Sequence, residues 1–173
     1  RTNLLTYSSA FDNAAWTKTA SSITTAADVA PDGTLTAQLL IGTSAGERVT
    51  QAVTATATTV YFSVHCKAPP SGTFTGATLL IYNNTTASAL AAYTFTGSTF
   101  SPSSTGVSVS CGNGWYRVSG AWSTGISVGN TITCYIYPDS VNGVNTNNSV
   151  LIWGAQLEAG SFATSYIPTV ASQ

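Results

Sequence analysis

The sequence predicts an all-β protein: a two-sheet antiparallel β-sandwich of jelly-roll topology, formed by residues 1–173 as one domain. Three observations predict it. Apolar and polar residues alternate with a period of two along much of the chain, and helical spacing is scarce. β-Branched residues are abundant, threonine above all, and suit a pleated, half-buried surface. Turn formers divide the alternating runs at short intervals, as at Pro31-Asp32-Gly33, Gly112-Asn113-Gly114 and Gly129-Asn130.

Thr34–Ile41 and Arg48–Thr54 are the first candidate strands in this pattern. Val60–Ala68 follows, with Val60, Phe62, Val64, Cys66 and Ala68 inward and Tyr61, Ser63, His65 and Lys67 outward; Pro69-Pro70 ends the run. Ala77–Asn83 turns Ala77, Leu79 and Ile81 inward and Thr78, Leu80 and Tyr82 outward. Ala91–Thr96, Val107–Cys111 and Trp115–Ser123 continue the series. Thr131–Tyr137 places Ile132, Cys134 and Ile136 inward and Thr133, Tyr135 and Tyr137 outward, and Pro138 stops it. In the last strand, Leu151, Trp153, Ala155 and Leu157 read as the inward row opposite Ile152, Gln156 and Glu158. Short strands with one apolar face each are buried by packing two sheets together. The Ser/Thr-rich stretch Gly97–Thr105 reads as a surface loop. No Cys…Trp…Cys spacing with a tyrosine corner points to an immunoglobulin sandwich, and no 20–50-residue repeat points to a propeller or solenoid.

Composition narrows the function. Charged residues make up 6% of the chain and the net charge is −1, so the surface must be built from hydroxyls, amides and aromatic rings. Arg1, Lys18, Arg48, Lys67 and Arg117 form no basic run, and nucleic acid is not an expected partner. No apolar stretch approaches the length of a membrane span, so membrane insertion is not expected either. The chain opens on Arg1 without a signal-peptide pattern and reads as a segment of a longer or processed protein. Cys66, Cys111 and Cys134 fit neither a disulfide scaffold nor metal-site spacing; two of them could pair, but each sits where an inward apolar residue would serve, and buried free thiols are the favoured reading. The sequons at Asn83, Asn84 and Asn147 matter only in a eukaryotic secretory context.

Catalysis is not expected. His65 is the single histidine, it lies mid-strand with no neighbouring carboxylate to orient it, and there is no G-x-S-x-G elbow. Glycoside hydrolysis needs two facing carboxylates, and the six available, Asp12, Asp28, Asp32, Glu47, Asp139 and Glu158, fall mostly in turns or at strand ends.

The two ends of the chain carry a resemblance. Asn3-Leu4-Leu5-Thr6-Tyr7-Ser8, then Phe11, Asn13-Ala14-Ala15-Trp16 and Lys18, resembles the opening of a jelly-roll module found in phage and prophage tail or virion proteins. Pro31-Asp32-Gly33-Thr34 with Ala37, Lys67-Ala68 and Gly114-Trp115-Tyr116-Arg117-Val118-Ser119 fit the same order. Trp153-Gly154-Ala155-Gln156-Leu157-Glu158 and Thr164-Ser165-Tyr166-Ile167-Pro168-Thr169 fit best. Such modules are similar to the carbohydrate-binding modules that accompany xylanases and other glycanases. The resemblance implies a non-catalytic sugar-binding protein that attaches a phage or secreted parent to a polysaccharide or cell-surface glycan, outside the cell or on a virion. The alternative is a structural virion protein, a decoration or tail-fibre assembly domain, contacting other virion subunits through the same face.

The resemblance also implies that Asn3-Leu4-Leu5 starts the first strand. The related modules often hold a structural calcium through an acidic pair in the final strand. Trp153-Gly154 stands there in this chain, so no cofactor is expected. Asp12, Asp28, Asp32 and Glu158 remain as oxygen donors, with Asp32 reading more simply as a turn residue.

By the same analogy, Tyr61–Lys67, Ala77–Asn83 and Thr131–Tyr137 share one concave sheet. Its outward residues Tyr61, His65, Lys67, Tyr82, Tyr135 and Tyr137 are then the candidate ligand-binding set. Aromatic planes pack on the C–H face of a sugar while polar groups meet its hydroxyls. The same face is equally open to contact with a protein subunit or to cover by a loop such as Gly97–Thr105. Arg117 reads as structural, bonded to a carboxylate or to carbonyls. Trp122, in register with Val118, and Trp153, in register with Leu157, read as core, and Trp16 is open.

Overall fold

The computed structural model describes residues 1–171. The described residues form thirteen strands and no helix. In chain order they are β1 (Thr17–Thr19), β2 (Ser21–Asp28), β3 (Ala37–Gly42), β4 (Arg48–Thr54), β5 (Val60–Lys67) and β6 (Gly76–Asn83). There follow β7 (Ser88–Ala89), β8 (Tyr93–Thr96), β9 (Ser101–Pro102), β10 (Val107–Gly112), β11 (Trp115–Trp122), β12 (Thr131–Tyr137) and β13 (Ser149–Ala159). The first sheet has seven strands in the order β1-β4-β12-β6-β8-β9, with β7 also on β6. The second has six, β10-β11-β5-β13-β3-β2. All strand pairs are antiparallel, and the result is the expected jelly-roll sandwich. Among the described residues no helix is long and apolar enough to cross a membrane.

The alternation read from the sequence builds the core. Phe62, Val64 and Cys66 of β5 meet Leu79 and Ile81 of β6 and Ile132, Cys134 and Ile136 of β12 in one apolar cluster, which Val118 and Trp122 of β11 join. Trp16 joins it too, with Leu4, Leu5 and Phe11, so the irregular first sixteen residues close one part of the sandwich.

Several expectations need correction. Asn3-Leu4-Leu5 forms no strand, because the Asn3 side chain pins that segment instead. Its Nδ2 donates to the Ala155 and Ile167 carbonyls, each at 3.0 Å, and its Oδ1 accepts from the Leu5 and Leu157 amides. Strand β2 escaped the sequence reading because Ser21–Asp28 is an edge with mostly exposed small residues and a register shift between Thr24 and Asp28. Cys111 is exposed on edge strand β10, unlike buried Cys66 and Cys134; all three are free.

The inward row of β13 is interrupted. Gly154 sits at φ +62°, and the pairing with β5 slips between Trp153 and Gln156, a bulge that changes which alternate residues face the core. Val150, Ile152, Ala155 and Leu157 are therefore the inward set. Leu151 and Trp153 point to the opposite side and pack with Ala30, Ala37 and Trp115 in a second, smaller cluster beside Tyr166.

The C-terminal stretch lies over that second cluster and is held by a buried polar network. Gln156 Nε2 donates to Glu158 Oε2 (2.7 Å) and the Ser165 carbonyl, while its Oε1 accepts from the Ile167 amide at 2.6 Å. Glu158 also accepts from the Thr164 amide and hydroxyl. Thr169 donates its amide to Ser8 Oγ and its hydroxyl to the Leu5 carbonyl. The motifs that made both chain ends recognisable thus bind the ends to each other and cover the outer face of the six-stranded sheet.

Candidate functional site

The outer face of the seven-stranded sheet carries the tyrosines. Inward positions alternate with outward ones, so β12 presents Thr133, Tyr135 and Tyr137, β6 presents Thr78, Leu80 and Tyr82, and β4 presents Arg48, Thr50 and Ala52. Tyr135 stands between Thr50 and Leu80 across the strands, and Thr133 between Ala52 and Tyr82. Tyr82 and Tyr135 are thereby diagonal neighbours, with ring centroids 6.3 Å apart. Tyr135 and Tyr137, two residues apart on one strand, stack at 5.9 Å with planes 19° apart. The Arg48 guanidinium lies 5.3 Å from the Tyr135 ring centre.

Depth varies along this row. Tyr82 and Tyr135 are half-buried, whereas Tyr137 is 8% exposed. The loop after β12 explains the difference. Asp139 is fully buried and accepts the amides of Val141, Gly143 and Asn145, folding the loop back beside Tyr137. A Cβ at Gly143 would stand 2.9 Å from the Tyr137 ring, so the backbone approaches it as only glycine permits. Burial raises the Tyr137 phenol above its usual range, against the opposing pull of Arg48. No tyrosine hydroxyl in this row bonds to another described residue. Thr133 Oγ1 donates to Asn84 Oδ1 at 2.7 Å, a polar pair beside Tyr82.

The other three candidates are elsewhere, which corrects the single-sheet placement. Strand β5 pairs with β11 and β13 in the six-stranded sheet, so Tyr61, His65 and Lys67 look out from the opposite side of the molecule. The Tyr61 hydroxyl bonds to Ser119 Oγ at 3.0 Å. His65 is 6% exposed, edge-on to Trp153 and Tyr166, and its Nδ1 meets no partner. Burial, aided by the Arg117 charge, lowers its pKa to about 4. Lys67 Nζ is 2.7 Å from Asp28 Oδ2 and passes near the Trp115 ring. Arg117 donates to Ser63 Oγ and the Thr164 carbonyl, binding the C-terminal stretch as the structural reading expected.

The Gly97–Thr105 loop does not cross the tyrosines. It includes β9 at the far edge beyond β8, and Phe100 turns inward against Phe74 and Tyr116. The carboxylates weighed as calcium donors are each taken up by protein donors. Asp12 accepts from Gln38 Nε2, Asp28 pairs with Lys67, Asp32 caps its turn through Thr34, and Glu158 serves the C-terminal network. Among the described residues no group of three or more His, Cys, Asp or Glu could hold a metal ion. A groove of about 480 Å³ runs beside β4, lined by Leu4, Thr6, Ala15, Gln51 and Thr54 among others, with no aromatic ring. Its chemistry is that of a seam between the N-terminal segment and the sheet.

Sequence reasoning missed Arg48 and the Thr133–Asn84 pair. Alternation in Arg48–Thr54 already set Arg48 opposite in phase to Val49, but pairing of β4 with β12 was needed to bring it to Tyr135.

No family model and no curated protein matches this chain. Solved structures do. The CBM22-1 xylan-binding domain of Paenibacillus barcinonensis Xyn10C superposes with a TM-score of 0.58 at 14% identity, over 94% of this chain and 97% of that one. The CBM22-1–GH10 modules of Clostridium thermocellum xylanase Xyn10B, complexed with xylohexaose, give 0.55 at 14%, over 94% of this chain and 28% of that one. The enzymatically active domain of bacteriophage CBA120 tailspike protein 4 gives 0.54 at 15%, over 90% of this chain and 21% of that one. The likeness thus takes in only a minor part of the xylanase and tailspike chains. The fold is shared; the side chains on it are this protein's own.

Proposed function

We propose that this chain is a non-catalytic polysaccharide-binding module whose ligand lies across the half-buried rings of Tyr82 and Tyr135, with buried Tyr137 backing Tyr135. The observation that carries the reading is the aromatic row on the one sheet face that the C-terminal stretch leaves uncovered. Tyrosines there offer ring planes to sugar C–H groups, and hydroxyls without partners among the described residues to sugar oxygens. The xylan-binding domain of the same fold supports the ligand class, and makes xylan the first polymer to try. Such a module attaches its parent, a phage or secreted protein, to an extracellular or cell-surface glycan.

Affinity electrophoresis through gels containing xylan and other polysaccharides tests this. Retarded migration is expected. Tyr82→Ala and Tyr135→Ala each remove a ring whose still-exposed half, once covered by ligand, is worth about 1 kcal/mol, so each weakens binding by about 4- to 10-fold. Unretarded migration in every polymer, or unchanged retardation in both variants, sinks the proposal.

The tailspike neighbour favours a second reading, in which the same face docks on another virion subunit. Light scattering separates the two. A stable oligomer dissociated by Tyr135→Ala supports assembly, and a monomer that binds glycan supports attachment.

A further inference from the structure

Among the described residues, Arg48 is the one cationic side chain that the fold leaves without a settled set of partners, and it stands at the tyrosine row. Arg1 lies 3.9 Å from Glu158, and Lys67 pairs with Asp28. Lys18 donates to the carbonyls of Asp12, Asn13 and Trp16. Arg117 is spent on Ser63 and Thr164, with Glu158 nearby. The Arg48 side chain has a single hydrogen bond, Nη1 to the Gly46 carbonyl at 2.7 Å, and its Nε is buried with no acceptor. It makes no ion pair among the described residues.

The acidic groups flanking Arg48 in sequence and along β12 do not serve it. Glu47 is fully buried, its carboxyl lying where a Cβ of Gly42 would stand, with Asn148 N–H donating to Oε1. Asp139 gives both oxygens to amides of the following loop. The other outward positions of β4, β12 and β6, among them Thr50, Thr133, Tyr135, Tyr137, Leu80 and Tyr82, are all uncharged. A half-buried guanidinium held over an aromatic ring, with unmet donors and no counter-charge, is an anion-seeking group inside an otherwise neutral sugar platform.

We infer that the tyrosine face selects a polysaccharide bearing uronic acid units, the sugar carboxylate meeting Arg48 while the ring packs on Tyr135. This rests on the glycan-binding reading above and narrows its ligand. A carboxylate on a pyranose ring places one negative charge within a side chain's reach of the stacked ring, which matches one guanidinium beside one tyrosine. A densely sulfated chain would call for a basic patch, and this chain has none.

The test uses one polymer in two charge states: glucuronoxylan, and the same preparation with its carboxyls reduced to primary alcohols. Titration calorimetry with the wild-type chain is expected to show binding of the acidic form about tenfold or more tighter, the ratio a charge-assisted hydrogen bond supplies. That preference is expected to shrink as salt is raised. Arg48→Gln is expected to bring both forms to the affinity of the reduced polymer, and Arg48→Lys to keep part of the preference. Tyr135→Ala is expected to weaken both forms together. Equal wild-type affinity for the two forms, or a preference that survives in Arg48→Gln, overturns the inference and leaves polysaccharide binding standing. Equally tight binding of dextran sulfate overturns it in favour of unspecific anion attraction. Binding of neither polymer form, nor of any other glycan, overturns both readings at once.

Discussion

Acidification should loosen this protein through one side chain. His65 is enclosed by Trp153 and Tyr166 with Nδ1 unpartnered, and its pKa falls from 6.5 to about 4. At pH 7 the folded chain holds the imidazole neutral and the unfolded chain holds it mostly so, and its contribution to pH dependence is about 0.2 kcal/mol. As pH drops below 6.5 the unfolded chain takes up the proton and the folded one does not, so unfolding gains about 1.36 kcal/mol per pH unit. The loss is about 2 kcal/mol at pH 5 and levels off at about 3 kcal/mol once pH passes through 4, where the folded form also protonates. Carboxylates titrate in the lower part of this range and act in both directions. Burial raises Glu47, which favours the folded state as pH falls; the Lys67 contact lowers Asp28, which does the reverse. Comparing wild type with His65→Phe cancels them. Urea unfolding followed by tryptophan fluorescence at pH 7 and pH 5 should show the wild type losing about 2 kcal/mol more than the variant. Parallel losses in the two proteins would mean that His65 titrates normally and that the C-terminal stretch does not seal it from water.

Other outcomes follow from the same geometry. Asn3→Ala removes an amide that makes four hydrogen bonds and leaves the Leu5 and Leu157 amides without that acceptor, so it should cost about 2–4 kcal/mol in the same urea assay. A cost under about 0.5 kcal/mol would show that water replaces the side chain there. Of the three thiols, Cys111 alone should react with a thiol reagent in the native protein, because burial pushes Cys66 and Cys134 far above the usual thiol range. Mass spectrometry after brief labelling checks this, and modification of either buried thiol at the Cys111 rate would refute the core arrangement.

The faces of β5, β6, β11 and β12 were legible because period-two alternation reports directly which side chains enter the core. It reports nothing about which sheet a strand joins. Tyr61, His65 and Lys67 therefore had the right orientation relative to Phe62 and the wrong company, since β5 pairs with β11 and β13 rather than with β6 or β12. The slip in β13 had a local sign, a glycine within a strand, which often marks a bulge. Reading Gly154 that way would have turned Leu151 and Trp153 outward. Edge strand β2 carried too little apolar contrast to register. The facing of Arg48 was not read from Arg48–Thr54, and its meeting with Tyr135 depends on the β4–β12 pairing, which joins distant parts of the chain and leaves no local trace.

The knot of bonds joining Asn3, Ser8 and Leu5 to Ala155, Ile167 and Thr169 also sets where tension travels. A pull between the neighbourhoods of residues 3 and 169 is borne by those short links and by the Tyr7 and Ser8 amides on the Val170 and Thr169 carbonyls. The load crosses beside the six-stranded layer and reaches β4 only through the Gln51 side chain, which bonds the Thr6 amide and carbonyl. The tyrosine platform lies on the other layer, outside the shortest links, and can hold its spacing when the two ends are pulled apart.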